Sequence, residues 1–120
     1  MTGRGIFYYD GERGSGNTTR CIDAAIDAVS RGHSVLVVTY HQMMCTYIID
    51  RIAEKMAHQK IECEKIAIQN MVRGGDDGVV RVVAVDGIQH LRGMRFNQIH
   101  IDVMGVDVNL DRVLPVLYWG

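Results

Sequence analysis

The chain has 120 residues, 48% hydrophobic and 22% charged, so it can bury a core and is expected to form a single domain over residues 1–120. Its formal net charge of −1 excludes a general nucleic-acid coat, which would need an excess of Lys and Arg. The first residues contain no apolar signal-peptide core, and no apolar stretch approaches the roughly 20 residues that span a bilayer. We therefore expect a cytoplasmic protein with no membrane partner.

The first elements along the chain are a strand, a glycine-rich stretch and a helix. The apolar run at residues 5–9 is typical of a buried strand, and the sequence GERGSG follows at residues 11–16. Apolar residues then recur every three or four positions, which predicts a helix over residues 17–31. Gly32 is suited to the C′ position that ends this helix.

The middle of the chain predicts a second strand and helix and then a hairpin. The β-branched run SVLVVT at residues 34–39 indicates a strand buried on both faces. A stripe of Met and Ile predicts a helix over residues 42–58. Two strands, 61–71 and 79–85, flank the turn sequence at residues 73–78 and are predicted to pair as an antiparallel hairpin.

The remaining segments complete the predicted topology. A polar connection at residues 86–98 leads into a short apolar strand, 99–102, that ends on a carboxylate. Residues 111–120 fit either a strand or a short helix. Strands that alternate with helices predict an α/β fold with three layers, a mainly parallel central sheet and a local β-hairpin.

The glycine-rich stretch indicates a phosphate-binding loop. Residues 11–18 fit the pattern GxxxxGK[ST] at every fixed position except that of the lysine. They lie between a strand and a helix, as the motif requires. Glycines let backbone N–H groups surround a phosphate, and the N-terminus of the helix adds positive potential. The predicted ligand-binding residues are Gly11, Arg13, Gly14, Ser15, Gly16, Asn17, Thr18 and Thr19. A plain connection between strand and helix is the structural alternative.

Three passages together resemble the P-loop NTPases, in particular the branch that contains helicases and phage terminase ATPases. They are YYDGERGSGNTTR as the Walker A motif, HSVLVVTYHQMMCTYIIDRI as the following strand and helix, and VVRVVAVDGIQHLRGMRFNQIHID as the segment leading into a Walker B strand. Only the first passage is specific. The resemblance implies that Thr18 and Asp102 bind the Mg²⁺ of ATP or another nucleotide, and that the loop strand lies inside the sheet, next to the second strand or the strand ending at Asp102.

Two departures from the family pattern affect the chemistry. Asn17 stands at the position of the motif lysine and is neutral and too short to reach a β- or γ-phosphate. Val103 stands where these ATPases usually carry the glutamate that polarises the attacking water. The leading hypothesis is therefore a degenerate ATPase-like protein, phage-encoded if the terminase resemblance holds and then located in the host cytoplasm. It would bind a nucleotide or phosphate weakly, with little or no hydrolysis, as an interaction module in DNA metabolism or packaging.

Two alternatives belong to other functional classes. In the first, the protein is an active ATPase or nucleotide kinase in which Arg13 or Arg20 replaces the lysine, since arginine can bind phosphate bidentately. The water-orienting carboxylate would then be Asp10, Glu12 or Asp107. In the second, the chain is a purely structural or protein-interaction domain without any ligand. Besides a nucleotide or phosphate, the candidate partners of the protein are DNA, as the resemblance implies, and a phage or host protein.

The other chemistry-bearing residues are assigned to ordinary structural roles. The cysteines, three in number and without a CxxC pair, are expected to be reduced core thiols rather than nucleophiles. The five histidines lack metal-ligand spacing, and strand alternation places His100 opposite Ile99 and Ile101 as a satisfied or partly exposed side chain. A set of arginines would form a basic edge if the chain contacts DNA: Arg73, Arg81, Arg92 and Arg95.

Overall fold

The computed structural model describes residues 5–9, 16–39, 41–74, 77–91 and 94–102, which form a six-stranded mixed sheet with two α-helices. The strands are β1 (Gly5–Tyr8), β2 (Ser34–Thr39), β3 (Cys63–Ile66), β4 (Met71–Gly74), β5 (Val79–Ala84) and β6 (Gln98–Ile101). The helices are α1 (Asn17–Ser30) and α2 (Gln42–His58), and two 3₁₀ segments cover Ala67–Gln69 and Val85–Leu91.

The strand order β1-β6-β2-β5-β4-β3 explains where the helices lie. The pairs β1–β6, β6–β2 and β2–β5 are parallel, whereas β4 is antiparallel to both β5 and β3. The connections from β1 to β2 and from β2 towards β5 run in the same direction across the sheet, so right-handed crossovers place α1 and α2 on one face. The return from β5 to β6 runs the other way and places the 3₁₀ segment Val85–Leu91 on the opposite face.

The face that carries the helices holds the larger core. Apolar side chains of α1 and α2 pack on alternate residues of β2 and β5, including Val35, Val37, Val80 and Val82. Apolar residues recur every four positions in α2, and this spacing puts Ile48, Ile52 and Met56 on the side of the helix that is buried against the sheet. The predicted helix over 42–58 is confirmed, and that over 17–31 ends one residue earlier.

The opposite face holds a smaller core beneath the second 3₁₀ segment. Ile88 and Leu91 from this segment and Phe96 beyond it pack on Leu36 and Ile99 of the sheet. Residues 86–98 were predicted to form a polar connection, and this prediction was wrong for the apolar residues among them. A seven-residue 3₁₀ segment buries only a few side chains, so it produces no extended hydrophobic period.

The end of α1 has the hydrogen bonds of a Schellman motif, as the position of Gly32 predicts. Gly32 has a φ of 84°, and its N–H donates to the carbonyl of Val29 at 2.9 Å. The N–H of His33 donates to the carbonyl of Ala28 at 3.0 Å. These two bonds satisfy carbonyls that the helix leaves without partners, and they direct the chain into β2.

An antiparallel hairpin is present, but its first strand is β4, of which only Met71 belongs to the strand predicted over 61–71. β4 and β5 pair antiparallel through Met71↔Arg81, Val72↔Val80 and Arg73↔Val79. The single strand predicted over 61–71 was wrong, because the 3₁₀ segment Ala67–Gln69 and Asn70, at a φ of 48°, reverse the chain between β3 and β4. Asn tolerates this left-handed conformation better than most residues, whereas the apolar residues on either side resemble a continuous strand.

The hairpin touches the end of α1 so closely that Gly78 leaves no room for a side chain. A Cβ atom at Gly78 would lie 2.0 Å from the carbonyl oxygen of Val29, and one at Gly74 would lie 2.9 Å from Cγ1 of the same residue. The N–H of Val79 also donates to the carbonyl of His33 at 3.0 Å. Glycine is therefore required at Gly78 by the packing of the hairpin on the helix.

The strands next to the predicted site differ slightly from expectation. The strand predicted over 99–102 covers Gln98–Ile101, and Asp102 follows directly after it; the strand predicted over 5–9 ends at Tyr8. In the sheet formed by the described residues, β1 is an edge strand beside β6 rather than an interior strand. The segment predicted at residues 111–120 lies outside the described residues.

Candidate functional site

The candidate site lies where three neighbouring parallel strands end. β1 precedes α1, β6 ends next to Asp102, and β2 ends at Thr39, so their carboxyl ends meet at one edge of the sheet. Gly16 begins α1 with a φ of 85° and has no side chain with which to cap the helix. The first N–H groups of α1 have no carbonyl partner within the helix and carry its partial positive charge. This edge is therefore suited to an anion.

Thr18 and Asp102 meet at this edge although they are 84 residues apart in the chain. The Oγ1 hydroxyl of Thr18 donates a hydrogen bond of 2.8 Å to Oδ2 of Asp102. α1 places Thr18 in its first turn, and the N–H of Asp102 donates to the carbonyl of Val38 at 2.8 Å, which fixes Asp102 at the end of β6. The family resemblance predicted that these two residues lie close together, and this proximity is confirmed.

The chemistry of the Thr18–Asp102 pair fits a small hard cation. Hydroxyl and carboxylate oxygens are ligands that Mg²⁺ accepts, and neighbouring oxygens in its octahedral shell lie about 3.0 Å apart for ligands at about 2.1 Å. Among the described residues no group of three or more His, Cys, Asp or Glu side chains is arranged to hold a metal. Two protein oxygens suit Mg²⁺, which keeps several of its own waters, better than an ion that needs a complete protein cage.

A buried hydrogen-bond network lies beside this pair and was not foreseen from the sequence. The hydroxyl of Tyr9 lies 2.7 Å from Nδ1 of His100, and Nε2 of His100 lies 2.8 Å from Oε1 of Gln98. Burial lowers the pKa of His100 to about 4, so the ring is neutral at pH 7. The amide oxygen of Gln98 can only accept, so Nε2 carries the proton and donates to it. Nδ1 of the neutral ring then accepts a hydrogen bond from the hydroxyl of Tyr9. Phe7 stacks on the same ring at 4.8 Å between centroids.

His100 is thus a satisfied core histidine, as expected, and strand alternation supplied the signal for its orientation. His100 lies on β6 between Phe7 of β1 and Val37 of β2, and paired residues of parallel strands point to the same face of the sheet. Its exposed fraction is only 1%. The two hydrogen-bond partners could not be predicted, because Tyr9 is 91 residues away and reaches His100 only through the β1–β6 pairing.

The charges at the site act on Tyr9. Burial raises the pKa of Tyr9 to about 12, and the negative charge of Asp102 adds to this effect. The positive charge of Arg20 acts in the opposite direction and lowers the pKa of Tyr9. Arg20, proposed from the sequence as a substitute for the missing lysine, lies in the first turn of α1, and its side chain is exposed.

The cysteines of the core are poor nucleophiles at neutral pH. Burial, with a contribution from Asp102, raises the pKa of Cys21 well above its usual range. Burial and the charge of Asp86 raise the pKa of Cys45 to about 11. Since the thiolate is the reactive form, both residues act as small apolar side chains.

Several predicted site residues lie outside the described part of the chain. These are the loop residues Gly11, Arg13, Gly14 and Ser15, the side chain of Asn17, and the candidate carboxylates Asp10, Glu12 and Asp107, together with Val103. Of the described loop residues, Gly16, Thr18 and Thr19 belong to the start of α1, and Thr19 is exposed.

The arginines considered for a DNA-binding edge are only partly brought together. Arg73 and Arg81 share the sheet face opposite α1 and α2, because Met71 pairs with Arg81 and lies two residues from Arg73. Glu64 stands opposite Arg73 on β3, so the face is of mixed charge. Arg95 is exposed near Phe96, and Arg92 lies outside the described residues. DNA binding stays a prediction.

Among the residues that the structure describes, no helix combines the length and apolar character needed to cross a membrane. No protein-family model matches this chain, and comparisons with curated proteins and with solved structures give no match either.

Proposed function

We propose that this chain is a P-loop-type module that binds a nucleotide or pyrophosphate weakly, with Mg²⁺, and hydrolyses it slowly or not at all. The observation that carries the proposal is the 2.8 Å contact between Thr18 and Asp102. A hydroxyl in the first turn of a helix and a carboxylate at the end of a neighbouring strand are the two oxygen groups that such sites use for the metal. The proposal includes a three-layer P-loop architecture, with the 3₁₀ segment Val85–Leu91 in the third layer.

Different groups at the site would bind the phosphate and the metal. The N–H groups of α1 and the glycine-rich stretch would hold phosphate oxygens, while Thr18 and Asp102 would hold Mg²⁺. When bound, Mg²⁺ would neutralise part of the phosphate charge. Asn17 supplies no positive charge in place of a lysine, so the site is suited to binding more than to stabilising the additional charge of a transition state.

Binding of pyrophosphate is the direct test of this site. We expect a Kd of about 10⁻⁴ to 10⁻³ M for Mg²⁺-pyrophosphate or Mg²⁺-ATP, equivalent to about 4 to 5.5 kcal/mol. Thr18→Val and Asp102→Asn should each weaken binding by about tenfold, which corresponds to about 1.4 kcal/mol for one lost polar contact. The amide resonances of Gly16, Thr18 and Thr19 report binding during the titration.

Controls separate binding at this site from general effects. Thr46→Val removes an exposed hydroxyl from α2 and should leave the Kd unchanged. In buffer without Mg²⁺, Asp102→Asn should bind pyrophosphate at least as well as the wild type, because a negative charge near the anion has been removed. Amide resonances that stay fixed at millimolar ligand would reject the site and favour a structural or protein-interaction domain.

Hydrolysis is expected to be negligible for the wild-type chain. Loss of a charged group that stabilises the transferring phosphoryl group reduces the rate by orders of magnitude, and Asn17 stands in place of such a group. Val103 stands in place of the glutamate that would activate the attacking water. The double variant Asn17→Lys with Val103→Glu should raise phosphate release above the wild-type rate in a steady-state ATPase assay. Robust turnover by the wild type that is abolished by Thr18→Ala would instead support the active-enzyme alternative with Arg13 or Arg20.

The DNA-related role has weaker support. It comes from the family resemblance and from the arginines Arg73 and Arg81 on the face opposite the helices. A protein that neutralises phosphates shows steeply salt-dependent binding, so fluorescence anisotropy with short DNA at two salt concentrations tests this role.

A further inference from the structure

The hydroxyl of Thr39 is buried at the candidate site and has no hydrogen-bond partner among the residues that the structure describes. Thr39 is the last residue of β2 and is 1% exposed. Its Oγ1 atom makes no hydrogen bond in the part of the chain that the structure describes. Buried hydroxyls are nearly always satisfied, because an unpaired one loses its hydrogen bonds to water without replacement. A buried unpaired hydroxyl next to a proposed binding site therefore points to a ligand.

The strand register places Thr39 beside Asp102. Val38 pairs with Ile101, and the N–H of Asp102 donates to the carbonyl of Val38. Continuing the parallel register by one residue brings Thr39 next to Asp102, on strands about 4.8 Å apart. The two residues are neighbours across the sheet at its carboxyl edge.

The side chain of Thr39 is on the face from which Thr18 reaches Asp102. Val37 pairs with His100, and both belong to the face that α1 and α2 cover. Alternation puts Thr39, two residues after Val37, and Asp102, two residues after His100, on that same face. Thr18 approaches Asp102 from α1, so three oxygen-bearing side chains lie on one face at this edge. Within the described part of the chain, the Thr39 hydroxyl is the one of the three without a hydrogen-bond partner.

We propose that the Thr39 hydroxyl is a positioning group of the Mg²⁺ site, where it accepts a hydrogen bond from a water molecule in the hydration shell of the ion. This inference rests on the proposed function, because it requires Mg²⁺ at Thr18 and Asp102. Mg²⁺ gives up its waters reluctantly and usually keeps several when proteins bind it. Those waters donate hydrogen bonds, and a buried acceptor next to the carboxylate orients them. Mutation of a group that orients a metal's ligands through such hydrogen bonds typically lowers the affinity for the metal by about 10- to 100-fold.

The decisive variant is Thr39→Val, which removes the hydroxyl and preserves the branched shape. We expect it to weaken binding of Mn²⁺, a substitute that prefers the same oxygen ligands, by about tenfold in the presence of pyrophosphate. Pyrophosphate itself chelates Mn²⁺, so binding of the Mn²⁺–pyrophosphate complex to the protein is followed by the enhancement of water-proton relaxation, with a protein-free sample as the baseline. Chemical unfolding without metal provides the second readout, and there the variant should be at least as stable as the wild type, because a buried unpaired hydroxyl has been replaced by a methyl group.

Two further variants keep the test informative. Thr39→Ser retains a hydroxyl and should retain wild-type Mn²⁺ affinity, whereas Thr39→Ala should resemble Thr39→Val. Thr46→Val, at an exposed position on α2, is the matched control and should alter neither affinity nor stability. If Thr39→Val does not fold, the comparison of the serine and alanine variants answers the same question.

The outcomes distinguish the two proposals. Equal Mn²⁺ affinity of the wild type, Thr39→Val and Thr39→Ala, with weaker binding by Asp102→Asn, would overturn the role of Thr39 and leave the proposed function in place. Absence of Mn²⁺ and pyrophosphate binding by the wild type would overturn both. A loss of stability in Thr39→Val without metal would mean that the hydroxyl serves the fold, and would also overturn the inference.

Discussion

Replacing Gly78 with alanine is expected to lower the free energy of unfolding by about 3 kcal/mol, at the upper end of the usual cost of overpacking. A Cβ atom at this position would lie 2.0 Å from the carbonyl oxygen of Val29 and 2.9 Å from its carbonyl carbon. Both are backbone atoms, so no side-chain rotation relieves the overlap. The hairpin would have to move away from α1.

The structure around Val29 resists that movement. Its carbonyl accepts the N–H of Gly32 in the motif that ends α1, and Val79 next to Gly78 donates to the carbonyl of His33. On the other side, the carbonyl of Gly78 accepts the N–H of Gly74 at 2.7 Å. A shift large enough to admit a methyl group would break or lengthen these bonds as well as open the core beneath the hairpin.

Chemical denaturation at pH 7 measures this loss, with Gly87→Ala as the matched control. A Cβ atom at Gly87 would lie 3.1 Å from Cγ2 of Val83, the end of a side chain that can adjust. The control should lose less than about 1 kcal/mol. Equal losses for the two variants would show that the hairpin does not pack on the end of α1 in the described way.

Acidification is expected to destabilise the fold through His100. Burial lowers the pKa of this residue from 6.5 to about 4. Between these values the unfolded chain binds a proton at His100 that the folded chain does not, so the free energy of unfolding falls as the pH drops from about 6.5 to about 4. Above that range the residue is neutral in both states and contributes no pH dependence. A pKa difference of this size corresponds to about 3 kcal/mol.

Urea unfolding between pH 4 and pH 7, without divalent cations, tests this effect. His100→Gln cannot take up the proton and should flatten the pH dependence in this range, even though the loss of ring stacking on Phe7 lowers its stability at pH 7. His90→Gln removes an exposed histidine and should keep the wild-type slope. A ring resonance of His100 that titrates near pH 6.5 would contradict the prediction.

The sequence predicted the elements that have one dominant periodicity. α2 and β2 were located to the residue, because a stripe of apolar residues and a β-branched run have few alternative structures. The division of residues 61–71 was missed because one residue in a left-handed conformation, Asn70, decides it. Phe96 and Ile88 were missed because a 3₁₀ segment has no long apolar period.

The candidate site was predictable only where a motif linked distant residues. The resemblance brought Thr18 and Asp102 together from opposite ends of the described sequence, and their contact agrees with it. The positions of Tyr9, Thr39 and His100 depend on which strands are neighbours. Local propensity carries no information on strand order, so these residues became candidates only once β6 was found between β1 and β2.

That strand order also determines when each strand can pair with its neighbours during synthesis of the chain. During synthesis, β2, α2, β3, β4 and β5 leave the ribosome before β6 and can already pair with one another. β1 is made first, yet its neighbour in the described sheet is made last. Thr18 therefore has no Asp102 to contact until residue 102 has emerged. A partly synthesised chain would lack the proposed site, so a bound nucleotide could stabilise the domain only after β6 has been inserted.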